Sequence, residues 1–488
     1  MNRPIRNVGF GIMAMLLALI AQLSYVQVVR ADQLTTDPQN FRVTERDFAR
    51  ARGKIITADG KILAESVPSQ DNLKFQRVYP HGPTYAHITG YQSLLYGATG
   101  VERVYNDQLL GKTIQLSVGN VDTLFERDPT LDVRLTVQSA AQEAAERALA
   151  GRKGAVVVLD TQTGGVVAMY SSPTYDPNRI VSHNDKRARA AFNEFVADDS
   201  NPMQNRSTRE RYPPGSTFKV VTTAIALDAG IATPETRFPV LTSLPLPLSD
   251  KSLSNFGGNA CGGPLREAFR ESCNTVFAQL GLDLGEALAT GGSKFGFNET
   301  GPPLDDSPRP VASLGALPGT FKTRQPQFAL DAIGQGDSAA TVLEMALVAQ
   351  SVATGGNMLV PHFLARIEDP KRPDPNAAMQ DAKVWRNVMT PSSAAHINEM
   401  MQAVVRNGTG TAAQIPGIAV AGKTGTAETV KGVAPHAWFI GFAPAQAPRF
   451  AIAVLVENGG GAGDNATGGR VAAPIARDVL SKIFTTQP

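Results

Sequence analysis

Cysteine is scarce in this chain: 488 residues hold two, Cys261 and Cys273. That excludes a disulfide-dense scaffold and any cysteine-rich metal centre. In an exported protein the pair can oxidise across the loop between them. In the alternative reading both stay buried as free thiols, and sequence carries no geometry to separate the two. Histidine is nearly as rare. His81, His87, His183, His362, His396 and His436 show no ligand spacing, so no metal and no cofactor are expected. His436, just before Ala437 and Trp438, reads as a strand-entry residue. An excess of charge of one sign is also missing. The chain has 46 basic and 44 acidic residues, net +2, with no basic stripe and no aromatic–basic interleaving. Nucleic acid is therefore excluded as the expected partner. There are no internal repeats.

A long uncharged apolar run is present. Asn7 to Val29 reads NVGFGIMAMLLALIAQLSYVQVV. As a helix it would extend roughly 34 Å, enough for a hydrocarbon core of about 30 Å. Arg3 and Arg6 precede it, which favours a cytoplasmic N-terminus with the remaining chain outside the membrane. A cleaved signal peptide is the alternative. The run is long for one and no clear Ala-x-Ala site follows, so an uncleaved single-pass anchor is the reading adopted. Gln22, Ser24, Tyr25 and Gln27 mark either a partner-facing stripe or the interfacial end of the helix.

Hydrophobic content of 42% and charged content of 18% describe a folded chain, and its length predicts two or three domains. The expected division is 1–30 for the cytoplasmic stub and anchor, 31–131 for a small mixed module, and 132–488 for the main domain. DVRLTVQSAAQEAAERALAG, from Asp132, reads as a short strand and an amphipathic helix ending near Gly151. Ala155–Leu159 and Val166–Tyr170 flank a Thr/Gly turn, a hairpin signal. The middle of the chain reads as helical. Ile418–Thr424, Ala437–Phe442 and Phe450–Val456 are strand candidates, and Ala472 to Phe484 a last helix. Strands from both ends with helices between them predict an α+β fold whose antiparallel sheet is closed late by the C-terminus. ENGGGAGDNATGG, from Glu457, is a loop.

Three short motifs carry chemistry. In YPPGSTFKVVT, Pro213 and Pro214 stiffen the approach, and Gly215 permits an unusual backbone angle. The helix expected from Ser216 is apolar nearly all round, hence buried. Residues i and i+3 share a face, so the Lys219 amine is expected beside the Ser216 hydroxyl. A serine nucleophile needs a neighbouring base, and burial near a second cation lowers a lysine toward that role. Ser-x-x-Lys alone is weak, because chance supplies about two in a chain this long. Ser272-Cys273-Asn274 lies at or near the start of another apolar helix. Taken alone it reads as a helix cap and a surface amide. Taken functionally it offers a proton-relaying hydroxyl and an amide that holds a peptide group. Lys423-Thr424-Gly425-Thr426 offers a fixed positive charge and hydroxyl donors, a set that suits a carboxylate. Gly425, lacking a side chain, would let a ligand lie along the strand.

Gly417 to Thr424, GIAVAGKT, also matches the phosphate-loop pattern letter for letter. That motif needs a strand before it, a loop within it and a helix after it. Here the residues within it look like the strand and no helix start follows, so a nucleotide site is not expected.

Ser-x-x-Lys, Ser-x-Asn and Lys-Thr-Gly, in that order, resemble the penicillin-binding proteins and serine β-lactamases. LTVQSAAQ, GAVVVLDTQTGGVVAM, PTYDPN, PPGSTFK, IGQG, AGKTGTAE and HAWFIGFAP look like the transpeptidase domain of class B penicillin-binding proteins, from about Asp132 to the end. RGKIITADGKILAES and GATGVERVYNDQLLG resemble that family's non-catalytic pedestal. Three departures stand out: a short pedestal, AATVLEMA without the Thr-Pro often found there, and Cys273 inside Ser-x-Asn.

The resemblance implies an antiparallel sheet flanked by helices plus an all-helical subdomain. It implies a D,D-transpeptidase acting on peptidoglycan stem peptides ending in D-Ala-D-Ala, acylated by β-lactams, and no cofactor. Ser216 would be the nucleophile, Lys219 its base and Ser272 the proton relay. Asn274 would bind the donor backbone, and Lys423, Thr424 and Thr426 the terminal carboxylate. The backbone N–H groups of Ser216 and Thr426 would form the oxyanion hole. A membrane glycan polymerase and other cell-wall synthesis or division proteins are the implied partners. The rival expectations are a hydrolase that resolves the acyl-enzyme with water, and a scaffold whose catalytic site is idle.

Overall fold

The computed structural model describes residues 3–30, 41–111, 130–302, 304, 312–372, 374, 378–428 and 432–486. The chain divides into two compact units, Met1–Arg52 with Ser66–Gln76, and Gly53–Glu65 with Arg77–Pro488. The first unit carries helix α1 (Arg3–Ser24), which continues through one π-helical turn, Tyr25–Val29. The span Arg6–Val29 is long and apolar enough to cross a membrane, and none of it is buried against protein. Leu16, Leu17, Leu19 and Ile20 are each more than half exposed, a surface that water disfavours and hydrocarbon does not.

In the second unit, β1 (Ile55–Ile56) and β2 (Asp132–Leu135) precede helix α2 (Ser139–Leu149) and a hairpin, β3 (Gly154–Asp160) and β4 (Val166–Ser172). The helical stretch contains α3 (Lys219–Asp228), α4 (Leu265–Glu271), α5 (Asn274–Leu284), α6 (Phe321–Asp331) and α7 (Val342–Ala353). Strand β5 (Leu364–Glu368) and helix α8 (Pro391–Asn407) lead to β6 (Ala421–Ala427), β7 (His436–Ala443) and β8 (Phe450–Val456), and α9 (Ala473–Thr486) ends the chain.

The main sheet has the order β6-β7-β8-β3-β4, antiparallel throughout. The C-terminal strand β8 pairs with the early strand β3 from Phe450↔Asp160 to Val456↔Gly154, the late closure expected from sequence. The strands read as unbroken apolar runs because both faces are covered. Ala155, Val157 and Leu159 of β3 enter one core cluster, while Val156 and Val158 enter the other. Helix α7 packs on the first face, and α2 and α9 form the layer on the second.

The strand expected from sequence at 418–424 lies three residues later. Ile415 and Ile418 bridge across a tight turn, and only from Ala421 does the chain pair with β7. The strand that opens the expected main domain, β2, pairs in parallel with β1 and antiparallel with β5. The upstream module and the C-terminal half therefore share one small sheet.

A buried ion pair anchors this region. Arg77 Nε donates to Glu102 Oε1 at 2.6 Å, with side-chain exposures of 4% and 0%. Tyr79 Oη donates to the same oxygen at 3.1 Å, and Arg77 Nη1 to the Gly53 carbonyl at 2.9 Å. Removing Glu102 takes a buried counter-charge from Arg77. Glu102→Ala is expected to cost about 3–5 kcal/mol, read as a lowered urea midpoint with an unchanged slope.

Candidate active site

The segment Tyr212–Phe218 is fixed before it reaches Ser216. Tyr212 exchanges both backbone hydrogen bonds with Ala340, at 2.9 Å each. Trp438 Nε1 donates to the Pro213 carbonyl at 2.9 Å, and the Gly215 N–H donates to the Gly334 carbonyl at 2.9 Å. Gly215 has φ +54, the unusual angle that its sequence position suggested. Sequence predicted an α-helix starting at Ser216. The structure instead makes Gly215–Phe218 a 3₁₀ turn and begins α3 at Lys219. The Lys219 amine, expected beside the Ser216 hydroxyl, is hydrogen-bonded instead to Ser272 and Asn274. Ser216 is half-buried, whereas Lys219 has no exposed surface.

The Ser-x-Asn segment is built differently from a helix cap with a surface amide. Ser272 does not cap a helix start. It ends α4 in the left-handed conformation, φ 63 and ψ 42. Its N–H donates to the Phe269 carbonyl and the Cys273 N–H to the Ala268 carbonyl, which is the Schellman arrangement of a helix end. That position ordinarily takes glycine. A serine there carries backbone strain of about 1–3 kcal/mol, a feature that clusters at functional sites. Nor is Asn274 a free surface amide. Its Oδ1 accepts from Lys219 Nζ at 2.8 Å and its Nδ2 donates to the Ser254 carbonyl at 3.1 Å. The reversal is held from behind by buried Asn255, whose Oδ1 accepts from the Thr275 N–H at 3.0 Å and whose Nδ2 donates to the Leu241 carbonyl. Sequence reading missed Asn255, because SNFGGN looks like any polar loop. A disulfide joins Cys261 to Cys273, tying the turn to the strand Cys261–Pro264.

The three motifs meet at Ser272. Lys219 Nζ donates to the Ser272 carbonyl at 2.7 Å and reaches its Oγ at 3.3 Å. Lys423 Nζ, from β6, donates to the same Oγ at 2.8 Å. Both amines are fully buried, over the rings of Phe277 and Phe269 respectively. Burial lowers Lys219 well below the usual lysine value, and the neighbouring Lys423 charge lowers it further. Burial alone brings Lys423 down to about 7. Lys219 is therefore pushed toward the neutral form, the one able to take a proton. Lys423 keeps its charge more readily.

Strand β6 lies at the edge of the main sheet. An edge strand is the position at which an extended peptide can add to a sheet. Gly425 serves a purpose other than the one expected. A Cβ there would lie 2.9 Å from the Pro214 oxygen and 2.9 Å from Thr217 Cγ2, so the missing side chain admits the Ser216 turn rather than a ligand. Thr424 shares its hydroxyl with Thr409, Oγ1 to Oγ1 at 2.6 Å, and Thr426 Oγ1 accepts from the Gly468 N–H at 3.4 Å. The phosphate-loop reading fails on the same strand. Lys423 is inside a β-strand, with its amine on Ser272, and strand rather than helix follows it.

Among the described residues no group of His, Cys, Asp or Glu could hold a metal ion. Nor is any carboxylate hydrogen-bonded to Ser216, Lys219, Ser272 or Lys423. Glu457, beside the entry segment, accepts from Tyr212 Oη at 2.6 Å and Arg206 Nε at 2.7 Å.

Residues 154–481 match the family model described as penicillin binding protein transpeptidase domain. That is most of the chain. The protein belongs to the class B penicillin-binding proteins. Residues 52–130 match the penicillin-binding protein A dimerisation domain. Peptidoglycan D,D-transpeptidase PbpA of Mycobacterium tuberculosis is 38% identical over the whole of both chains, and PbpA of Mycolicibacterium smegmatis is 38% identical over 99% of each. Penicillin-binding protein A of M. tuberculosis, solved as a penicillin G acyl-enzyme, aligns with a TM-score of 0.80 at 37% identity. The alignment covers 89% of this class B protein and all of that chain.

Proposed function

We propose that this class B penicillin-binding protein cross-links peptidoglycan stem peptides through an acyl-enzyme on Ser216. The supporting observation is the chain of contacts from Lys219 through Ser272 to Lys423, with Asn274 on the first amine, one turn from the Ser216 hydroxyl. Ser216 Oγ attacks the carbonyl of the penultimate D-Ala while neutral Lys219 takes its proton. The C–N bond to the terminal D-Ala breaks, and Ser272 passes a proton from the lysine pair to the departing amine. The N–H groups of Ser216 and Thr426 hold the oxyanion. Lys423, with Thr424 and Thr426, holds the terminal carboxylate, or that of a penicillin. The amine of a second stem peptide then attacks the ester carbonyl, giving up its proton as Ser216 leaves and the cross-link forms. Splitting the transfer in two lets a bulky acceptor arrive separately.

Residues 1–30 would then be the cytoplasmic stub and anchor, 31–131 the pedestal and 132–488 the catalytic domain, placing the enzyme on the outer face of the cell membrane. A membrane glycan polymerase is the partner class that fits an anchored cross-linker, since its product is the strand to be joined.

Penicillin treatment of the ectodomain followed by peptide mass spectrometry should place the adduct on the Ser216 peptide. An adduct on any other residue would reject the assignment. The same experiment followed over time separates synthase from hydrolase. Among the described residues no carboxylate is hydrogen-bonded to the catalytic cluster to activate water, so deacylation should lack a general-base contribution of roughly 10²–10⁴-fold. The adduct is expected to persist, and rapid turnover of free β-lactam would favour the hydrolase.

A further inference from the structure

Behind the Ser216 turn lies a second chain reversal, Asp331 to Ser338. Helix α6 ends there. The Gly334 N–H donates to the Asp331 carbonyl at 2.8 Å and the Gln335 N–H to the Leu330 carbonyl at 3.0 Å, with Gly334 at φ +72. This is the same helix-end motif as at Ser272. The turn grips the nucleophile segment at both ends. The Gly334 carbonyl accepts from the Gly215 N–H at 2.9 Å, and the Ala332 carbonyl accepts from Thr222 Oγ1, one turn past Lys219, at 2.8 Å. The contact at Gly334 is closer than any side chain permits. A Cβ there would lie 2.1 Å from the Gly215 oxygen and 2.8 Å from its carbonyl carbon. Those atoms belong to the 215–216 peptide, whose N–H is that of Ser216. The seat of Gly334 therefore sets the direction of that N–H.

A fully buried carboxylate holds the turn. Asp331 has no exposed surface. Its Oδ1 accepts from Ser338 Oγ at 2.7 Å and Gln327 Nε2 at 2.8 Å, and its Oδ2 accepts from the Ala316 N–H. Ser338 lies beyond the turn, so the Asp331–Ser338 bond closes a loop around Gly334. Burial raises the carboxyl to about 6 against the three hydrogen bonds that lower it, which leaves it ionised at neutral pH. Hydrogen bonds to an ionised acceptor are roughly twice as strong as neutral ones.

We propose that Asp331 is a positioning residue for acyl transfer: through Ser338 and Ala316 it clamps Gly334 against the 215–216 peptide and so aims the Ser216 N–H at the developing oxyanion. The inference rests on the reading of Ser216 as nucleophile and oxyanion donor. It differs from a plain stability role in what it changes. The pocket that captures the antibiotic stays intact, and the chemical step loses an aligned donor. Removing an oxyanion donor outright costs about 10²–10³, so misaiming one is expected to cost about tenfold.

Saturation kinetics of acylation by a fluorescent penicillin test it on Asp331→Asn, Ser338→Ala and the double variant. Asparagine keeps the shape but turns a donor toward the Ala316 N–H or the Ser338 hydroxyl. The expected result is a roughly tenfold slower acylation step with the initial binding constant within about twofold of wild type. Ser338→Ala should show a smaller loss in the same step, and the double variant should lose no more than Asp331→Asn alone, because both act through one turn. An acylation step within twofold of wild type in Asp331→Asn overturns the proposal. So does a lower labelled fraction in which the remainder reacts at the wild-type rate, since that is a stability effect only. If Asp331→Asn fails to fold, Ser338→Ala decides by the same criterion. A wild-type adduct found away from Ser216 would instead reject the nucleophile reading beneath it.

Discussion

Lys219→Ala is expected to slow acylation by penicillin about 10³–10⁴-fold while leaving the initial complex nearly as tight. Ser216 has no other base within its turn. Among the described residues, no carboxylate and no imidazole is hydrogen-bonded to the cluster, and the second lysine is bonded to Ser272. The wild-type pH profile carries the diagnostic signature. Lys219 must be neutral to accept the proton, so the acylation rate should fall as pH drops through its value. That value lies well below the usual lysine range because the amine is buried and faces a second cation. In Lys219→Ala this limb should vanish along with the rate. Retention of the limb, or a loss below about tenfold, would move the base elsewhere.

Lys423→Ala is expected to act on both steps. Its ammonium supplies a charge-assisted hydrogen bond to the substrate carboxylate, and such bonds contribute about 1.5–3 kcal/mol. The initial complex should therefore weaken roughly 10–100-fold, most for ligands with a free carboxylate and least for their esters. The second effect has the opposite origin. Lys423 helps hold Lys219 neutral, so its removal lets Lys219 bind a proton more readily and moves the acid limb to higher pH. Burial also makes Lys423 a cost to the fold. Its value is about 7 when folded against an ordinary 10.5, so the unfolded chain binds more protons between those values and stability rises with pH across that window. Thermal melting of the two proteins over pH 7–10 should show a shallower rise in the variant. An unmoved acid limb would mean that the two amines do not interact.

Neither variant would have been chosen without the sequence motifs, yet the motifs do not explain why the amines interact. Ser-x-x-Lys put a base one turn from a hydroxyl by helix periodicity, yet that turn is 3₁₀ and the amine is hydrogen-bonded to Ser272 and Asn274. The apolar run after it foretold burial, and Lys219 has no exposed surface. The β-branched runs at Ala155–Leu159 and Phe450–Val456 marked strands because alternate residues feed two cores. What periodicity could not supply was the path of the chain between elements. The Ser-x-Asn motif does lie at the start of a helix, α5 from Asn274, but sequence did not show that Ser272 is also the left-handed end of the helix before, because such a residue leaves no signal when it is not glycine. Gly425 read as room for a ligand when its space belongs to Pro214 and Thr217, more than two hundred residues earlier in the chain. Asn255, Asp331 and Thr409 carried no signal, since a polar residue in a loop looks the same whether it faces water or a buried turn.

Most elements, the anchor-length apolar helix and the set of reactive groups were legible in the residue pattern, because these depend on residues close together along the chain. It took the folded chain to show that Lys219 and Lys423 share one hydroxyl, that Cys261 joins Cys273, and that Gly334 lies against Gly215. Those facts join segments far apart along the chain, through close packing and buried charge that no local pattern records.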